Sequence, residues 1–576
     1  MESRWEILSL SRKEQEICDR LADELHISNL SAAMLVRRNL YTAEEARAFV
    51  APKIEMLHDP FLMVDMHAAV ERLTRAVENG ERILIYGDYD VDGTTAVALM
   101  FTFLSLVVKD ASTMLDYYIP DRYTEGYGVS EKGIDYAAET GCTLIVALDC
   151  GIRSVEHVEY AKGKGIDFII CDHHLPSAEI PAAVAVLDAK RADSTYPFAE
   201  LCGCGVGFKL AQAYAIQHSM PFSMLEPLLG FVAMAIASDI VPVVGENRIL
   251  AYFGIRRLNT EPALGIASLM QVAGIERGKL TISDLVYKLG PRLNACGRIH
   301  SGRDAVRLLI TDNEAEAAKM SDEIDHHNDI RKGFDQQITN EALQMLEADP
   351  YNDKKKSTVV CGADWHKGVV GIVASRLTDT YYRPTIVLTL TDGMISGSAR
   401  SVGGFDIYSA IDSCSDLLTN FGGHIYAAGL SLKPENLDAF KERFEAYVSA
   451  HILPEQMQPT ITVESELTFA DITAQFYNIL RHMEPFGPGN PRPLFVTRGV
   501  SNYRYTHKVG KQGEHLRLDV TDKTGTMQGI AFGKGGFAEP ILQGQNVDIC
   551  YELQQNTFNG QTSLQMMVQE MKVVDN

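Results

Sequence analysis

The spacing of apolar residues changes character along the chain, and each change marks a region. Residues 1–60 carry helix-period apolar positions in "EQEICDRLADELHI" and "AEEARAFV", which predicts a helical N-terminal segment. From about 70 to 310, short apolar runs alternate with helical stretches. "ERILIYGD" (81–88), "CTLIVALD" (142–149) and "IDFIICD" (166–172) each end in an acid. "TTAVALMFTFLSLV" follows the first and "SVEHVEYAKGKG" the second. That is βαβ patterning, and it predicts a parallel sheet covered on both faces.

Residues 312–348 contain no proline and one glycine, and read as one long polar helix connecting two regions. "STVVCGADWH" (357–366) opens a second α/β region that includes "RPTIVLTL" and ends near 455. From 459 the texture becomes all-β, with Asn559-Gly560 as an expected hairpin turn. Five or six strands in this last stretch suit a small barrel of the OB type. The expected boundaries are 1–60, 61–311, 312–348, 349–457 and 458–576.

Composition adds limits. The 576 residues are too many for one ordinary core. Apolar content of 46% and charged content of 22% fit a soluble globular chain. No apolar run reads as long enough to span a bilayer, and "MESRWEILSLSRKEQ" has no signal-like apolar core, so a cytoplasmic protein without membrane contact is expected. The ten cysteines are scattered. Cys202 and Cys204 lack zinc-site spacing and read as packing. A net charge of −23 argues against a generic basic nucleic-acid coat, so any nucleic-acid function must rest on local motifs.

Those motifs are acidic. "YGDYDVDGTT" places Asp88, Asp90 and Asp92 after the first strand, where alternate residues of an extended segment share a face. Gly87 and Gly93 would allow tight turns around them. Asp149 ends the second strand, Asp172, His173 and His174 follow the third, and Asp239 follows an apolar helical run in "AIASDIVP". Sites in open α/β sheets form outside the carboxyl ends of the strands, so these groups should collect along one edge. Such acids would repel one another unless divalent cations joined them. Carboxylates with imidazole suit Mn²⁺, with Mg²⁺ as the alternative. Two ions about 3.5–4 Å apart would clamp the attacking and leaving oxygens of a phosphoryl substrate. A single Asp at a strand end is an ordinary turn former; four acidic motifs in one βαβ region are not.

The chain carries its own control. A second Asp-His-His, at Asp325, His326 and His327, falls inside the predicted connector helix, where neighbouring side chains diverge by about 100°. It has no partner acids of matching context and reads as surface or packing.

In this order, "GDYDVDGTT", "LDCG", "CDHH" and "ASD" resemble the four motifs of the DHH phosphoesterase superfamily. "GPRLNACGR" (290–298), "WHKGVVGIVASRL" (365–377), "GSARS" (397–401), "GGHIYAAG" (422–429) and "PFGPGNPRPLF" (485–495) are similar to the remaining pattern of the RecJ single-strand-specific exonucleases. The resemblance covers nearly the whole chain. It implies an α/β multidomain fold: a parallel-sheet DHH catalytic domain, a long connector helix, a smaller α/β DHHA1 domain and a C-terminal all-β OB-like barrel. It implies a metal-dependent nuclease that degrades single-stranded DNA from the 5′ end in recombinational and mismatch repair. Carried onto this sequence, Asp90, Asp92, Asp149, His173 and Asp239 become metal ligands, with Asp149 bridging two Mn²⁺ or Mg²⁺ ions. Asp88 and His174 belong to the same motifs as ligand or supporting partner, and Asp172 orients the histidines.

Arg400, Ser398 and Ser401 would hold DNA phosphates on a glycine-rich loop, and His424 would reach the scissile phosphate. Arg292 and Arg298 are further phosphate contacts. Ala399 stands where the family has Gly, which would alter that loop. Tyr503 and Tyr505, in "SNYRYTHK" on a predicted strand, either stack on bases or merely alternate as strand residues do. Single-stranded-DNA-binding protein and a RecQ-type helicase are partners implied by the family alone, and a monomer is expected. The competing readings are a DHH-type phosphodiesterase of short oligonucleotides or cyclic dinucleotides, and an inactive replication scaffold. The C-terminal barrel argues against the first and the intact acids against the second.

Overall fold

A computed structural model describes residues 3–558 and 561–574. The chain divides into two compact units. The first comprises 58–241 and 253–459; the second comprises 3–57, 242–252 and the chain from Thr460.

The first unit holds two sheets. Its first sheet has five parallel strands in the spatial order Leu115–Tyr118, Ile83–Gly87, Leu144–Leu148, Asp167–Cys171, Ala185–Leu187. The strands Ile83–Gly87 and Leu144–Leu148 are buried at every position, which is why they read as unbroken apolar runs rather than alternating ones. The strand order reverses between Ile83–Gly87 and Leu144–Leu148, which creates a crevice at their carboxyl ends. Helix Val91–Ser105 is apolar on nearly all sides and correspondingly buried. Each fully buried Val, Leu or Phe of such a helix contributes about 1.5–3 kcal/mol relative to exposure.

Helix Glu314–Glu347 runs unbroken for 34 residues, close to the expected span. It is more than a spacer, because Ala317, Met320, Ile324, Ile338, Ala342 and Leu346 are buried along it. It leads to a five-stranded mixed sheet in the order Leu418–His424, Ala427–Leu432, Met394–Arg400, Thr385–Thr391, Thr358–Ala363. Residues 222–239 are helical and apolar enough to cross a membrane by length and composition, contrary to the expectation that no apolar run reaches that length. Of this stretch 61% is buried inside the protein, as in the core helix of a globular unit.

The second unit contains the barrel. Strands Phe495–Asn502, Val547–Phe558, Gln561–Val573, Thr526–Ala531 and His515–Thr521 pair in that order, and pairing of Ser501 with Thr521 closes the ring. The expected Asn559-Gly560 turn lies outside the described residues. The N-terminal segment differs from expectation. It includes a strand, Arg4–Ile7, paired in parallel with Thr460–Val463. Its helices share a core with the barrel, in which Met34, Leu35 and Ala46 pack with Phe476, Phe495 and Leu516.

Candidate active site

Four of the five parallel strands run directly into an aspartate: Asp88, Asp149, Asp172 and Asp188. All four are buried. Asp92 reaches the same edge by another route. The 88–92 segment is not extended, as the alternation of its acids had suggested. Asp90 is the N-cap of helix Val91–Ser105, its side chain accepting from Gly93 N at 3.0 Å, and Asp92 lies in the first turn. Gly87 and Gly93 serve close approach rather than turning. A Cβ on Gly93 would sit 2.5 Å from the Asp88 carbonyl oxygen, and one on Gly87 2.4 Å from Val97 Cγ2.

Asp92 is held by a second helix N-terminus. The backbone amides of Gly203 and Cys204, which open helix Gly203–Gln217, donate to its two carboxylate oxygens at 2.7 Å each. Asp239 stands at the opposite kind of end, as the last residue of helix Leu229–Asp239. A carboxylate there faces the negative pole of the helix, which favours a neighbouring cation.

The side chains converge on His173. Its Nε2 lies 3.2 Å from Asp149 Oδ1, 3.6 Å from Asp239 Oδ2 and 3.8 Å from Asp92 Oδ2. Two sets have ligand atoms within 4.8 Å of one another: Asp149 with His173 and His174, and Asp92 with His173 and Asp239. These are not ion pairs. Burial, with the neighbouring His174 charge, lowers the His173 pKa to about 3, so its imidazole is neutral. Burial and then the Asp239 and Asp90 charges push the Asp92 carboxyl well above its ordinary range; burial and then the Asp92 charge do the same to Asp149. Asp239 rises to about 7 through burial and Asp90.

Asp149 Oδ1 and His173 Nε2 are buried without a hydrogen-bond partner. Orphaned acceptors facing a neutral imidazole are the complement of a divalent cation. Asp88 and Asp90 lie outside both groups. Asp88 Oδ1 accepts from Gly128 N at 3.4 Å, and burial followed by the Asp90 charge raises its pKa to about 8.

Asp149 has a left-handed backbone (φ 59°), a conformation that costs a non-glycine residue about 1–2 kcal/mol. Both its backbone groups are tied. Its amide donates to the Cys171 carbonyl at 2.8 Å, and its carbonyl accepts from Tyr127 Oη at 2.7 Å. Asp172 lies outside both groups and supports them from behind. It accepts from Ile152 N at 2.9 Å, His173 N at 2.7 Å and His174 Nδ1 at 2.7 Å. Burial pushes its carboxyl up, but the His174 hydrogen bond and charge outweigh it and hold the pKa below the usual value. The same contact raises His174 against its own burial. Asp172 thus fixes both histidines.

Four arginines gather nearby. Arg298 donates to the Gly368 carbonyl at 2.6 Å, and burial, then the charges of Arg122, Arg331 and Arg400, lower its pKa to about 10. Arg122 lies over the Tyr89 ring at 4.6 Å. Arg292 is engaged elsewhere: it donates to Asp325 at 2.8 Å and to the Lys288 carbonyl at 2.8 Å. "GSARS" is not a loop. Met394–Arg400 is a strand, Ala399 is buried in its ladder, and no glycine-like conformation is needed there.

Ser396, Ser398 and Arg400 share one face of that strand, and Ser396 and Ser398 line a cleft of about 400 Å³ with Lys367, Asn420 and Gly422. The Ser401 hydroxyl is committed to the Phe405 carbonyl at 2.6 Å. His424 is exposed at a strand end, its Nδ1 accepting from Tyr426 N at 3.3 Å, and it makes no hydrogen bond to the acidic groups. Tyr503 and Tyr505 lie between strands Phe495–Asn502 and His507–Val509 rather than on one, and are 43% and 74% exposed.

Three family models match the chain in order: the DHH family N-terminal domain over 82–236, the DHHA1 domain over 353–450 and the RecJ OB domain over 463–570. The chain is 36% identical to the single-stranded-DNA-specific exonuclease RecJ of Bacillus subtilis over 99% of its own length and 71% of that protein. It is 35% identical to the Escherichia coli protein of the same name, over 87% and 89%. Its fold matches RecJ of Thermus thermophilus in complex with Mn²⁺ (TM-score 0.83) and with Mg²⁺ (0.78), at 25% identity, covering all of this chain and 80% and 79% of those.

This chain belongs to the RecJ family.

The RecJ motifs led to the acids and histidines of the site, but not to what holds them. Gly203 and Cys204 carried a usable signal: a glycine-rich apolar run opening a helix, "CGCGVGF", is the sequence form of an anion-ready N-terminus. Asp188 carried the same strand-then-Asp signal as its neighbours, in "AVLDAK". Tyr127, Arg122 and Arg331 carried none, since their positions follow from folding across distant segments.

Proposed function

We propose that this RecJ-family chain is a metal-dependent exonuclease that hydrolyses single-stranded DNA from its 5′ end and releases mononucleotides. The observation that carries this reading is the buried pairing of Asp149 and His173, two unpartnered acceptors 3.2 Å apart with Asp92 and Asp239 around them. Asp92, Asp149, His173, His174 and Asp239 would hold the cations, with Asp90 at the margin, and Mn²⁺ or Mg²⁺ fits their hard oxygen and imidazole donors. Bound there, such ions supply Lewis acidity toward a phosphoryl group and a water.

The protein's own residues do the rest. Tyr127 and the Cys171 carbonyl keep Asp149 aimed, the Gly203 and Cys204 amides fix both oxygens of Asp92, and Asp172 holds the His174 ring. Arg122, Arg298, Arg331 and Arg400 form a cationic patch that suits a terminal phosphate, which carries more charge than an internal one. That favours binding by a strand end, and supports exonucleolytic action. The barrel, with Tyr503 and Tyr505 exposed, suits a polymer rather than a dinucleotide.

The same reading places the chain with cellular DNA in the cytoplasm, in recombinational and mismatch repair. Single-stranded-DNA-binding protein would be a partner on the strand, and a RecQ-type helicase would supply unpaired ends.

A time course on one oligonucleotide carrying either a 5′ or a 3′ label tests the reading. Labelled mononucleotide should appear first from the 5′-labelled strand, and only with Mn²⁺ or Mg²⁺ present. First release from the 3′ label would overturn the polarity.

A further inference from the structure

Beside the arginine patch, three rings from three distant segments meet. Phe334, on helix Glu314–Glu347, stacks on His366 with centroids 5.1 Å apart and planes 17° apart. Tyr123 meets the same imidazole edge-on at 6.3 Å. The backbone around them is tightly tied. Tyr123 Oη donates to the Arg298 carbonyl at 2.7 Å, Arg298 donates to the Gly368 carbonyl, and Gly368 N donates to His366 Nδ1 at 3.2 Å. A Cβ on Gly368 would lie 2.5 Å from Tyr123 Oη, so any larger residue there would push the Tyr123 ring aside.

Rings held this firmly are usually covered, yet Phe334 is 36% and Tyr123 50% exposed. Arg331 is one helical turn from Phe334 and shares its face. Burial, then the Arg298 charge, lowers the His366 pKa, so the ring behind Phe334 is neutral and the stack adds no charge of its own. Rigid exposed π surface next to a cluster of cations is the combination by which proteins grip unpaired nucleotides.

We propose that Phe334, backed by His366 and flanked by Tyr123, is a stacking platform for the terminal nucleobases of a single strand whose end phosphate goes to the arginines. The proposal rests on the single-strand reading above and adds a specificity-determining residue to it. Stacking tolerates any sequence, because every base has a π face. A base still paired in a duplex reaches the platform only after unpairing, so the platform favours unpaired ends.

The test is binding of 5′-phosphorylated oligonucleotides, measured by fluorescence anisotropy in chelator to prevent cleavage, with the terminal two positions either intact or abasic. The wild-type protein should bind the abasic strand about tenfold more weakly. Phe334→Ala should weaken the intact strand by about the same factor and leave the abasic strand unchanged, so the ratio falls to about one. Phe334→Tyr should restore it.

A ratio of one in the wild type, or a wild-type ratio that persists in Phe334→Ala, would overturn the platform. A penalty that appears only when the abasic positions are at the 3′ end would keep the platform and refute the 5′ polarity. Failure of the wild type to bind any single strand would remove the functional reading and the platform with it.

Discussion

The tripeptide Asp-His-His occurs twice, at 172–174 and at 325–327, with two unrelated fates. In the first copy the chain leaves a buried strand, and Asp172 takes four backbone or ring N–H groups while both histidines turn toward Asp149. In the second copy the chain is mid-helix. Asp325 pairs with Arg292 at 2.8 Å, and His327 stacks on His300 with planes 20° apart. The backbone decides the difference. At a strand end, consecutive side chains can be brought to one crevice; on a helix they point away from one another. The second triplet still has work, since it occupies Arg292, one of the residues expected to bind phosphate.

The contrast can be broken most directly at the acids and rings themselves. Asp149→Ala should nearly abolish Mn²⁺-dependent cleavage with the fold intact by circular dichroism. His326→Ala should stay within about twofold of wild type, as exposed substitutions do. Near-normal turnover by Asp149→Ala would remove the basis for the site.

Next in size is orientation. Asp172→Asn should lower the cleavage rate by about 10–100-fold, because loss of an orienting partner costs that much at metal sites. Asp325→Asn, which releases a partly exposed ion pair, should cost about 0.5–1 kcal/mol of stability and little activity.

Metal linkage gives a third comparison. Mn²⁺ at about a hundredfold excess over its dissociation constant should stabilise the protein by about 2.7 kcal/mol. Differential scanning calorimetry should show that gain in His327→Ala and not in His173→Ala.

The last comparison concerns a buried acid beside the first triplet. Burial raises the Asp188 pKa to about 7 from an ordinary value near 3.8, and one of its oxygens is unpartnered. The unfolded chain therefore releases this proton at lower pH than the folded one. The contribution is present in full below the unfolded pKa and is lost as pH rises toward 7. Asp188→Asn should thus raise the melting temperature more at pH 8 than at pH 5; an equal change at both would show that Asp188 does not titrate this way.

Much of the fold was readable because its periods are distinct. Buried parallel strands gave unbroken apolar runs, helix Glu314–Glu347 gave a long proline-free stretch, and the barrel gave short strands with turns. The N-terminal segment read as helical, but nothing local shows that Met34 and Leu35 complete a core with residues some 450 positions away. For the same reason, excising 459–576 would strip the cover from those helices and would not be a clean test of the barrel. The acids after the strands were legible, but the reason for their convergence was not. Asp90 and Asp92 come together through a helix N-terminus, and "GSARS" presents Ser398 and Arg400 by strand alternation rather than from a loop.

The sequence alone determined which chemistry is available. Carboxylates and imidazoles set at strand ends cannot be mistaken for a thiol or serine site, because local periodicity fixes where each strand stops. Only the tertiary structure decided which of them act together. It twisted Asp149 into a left-handed conformation held by Tyr127, set the amides of Gly203 and Cys204 on Asp92, drew Arg298 toward Arg122, Arg331 and Arg400, and withdrew Arg292 to Asp325. Each of these joins residues far apart in the chain, and electrostatics at a few ångströms depends on distances that no local pattern specifies.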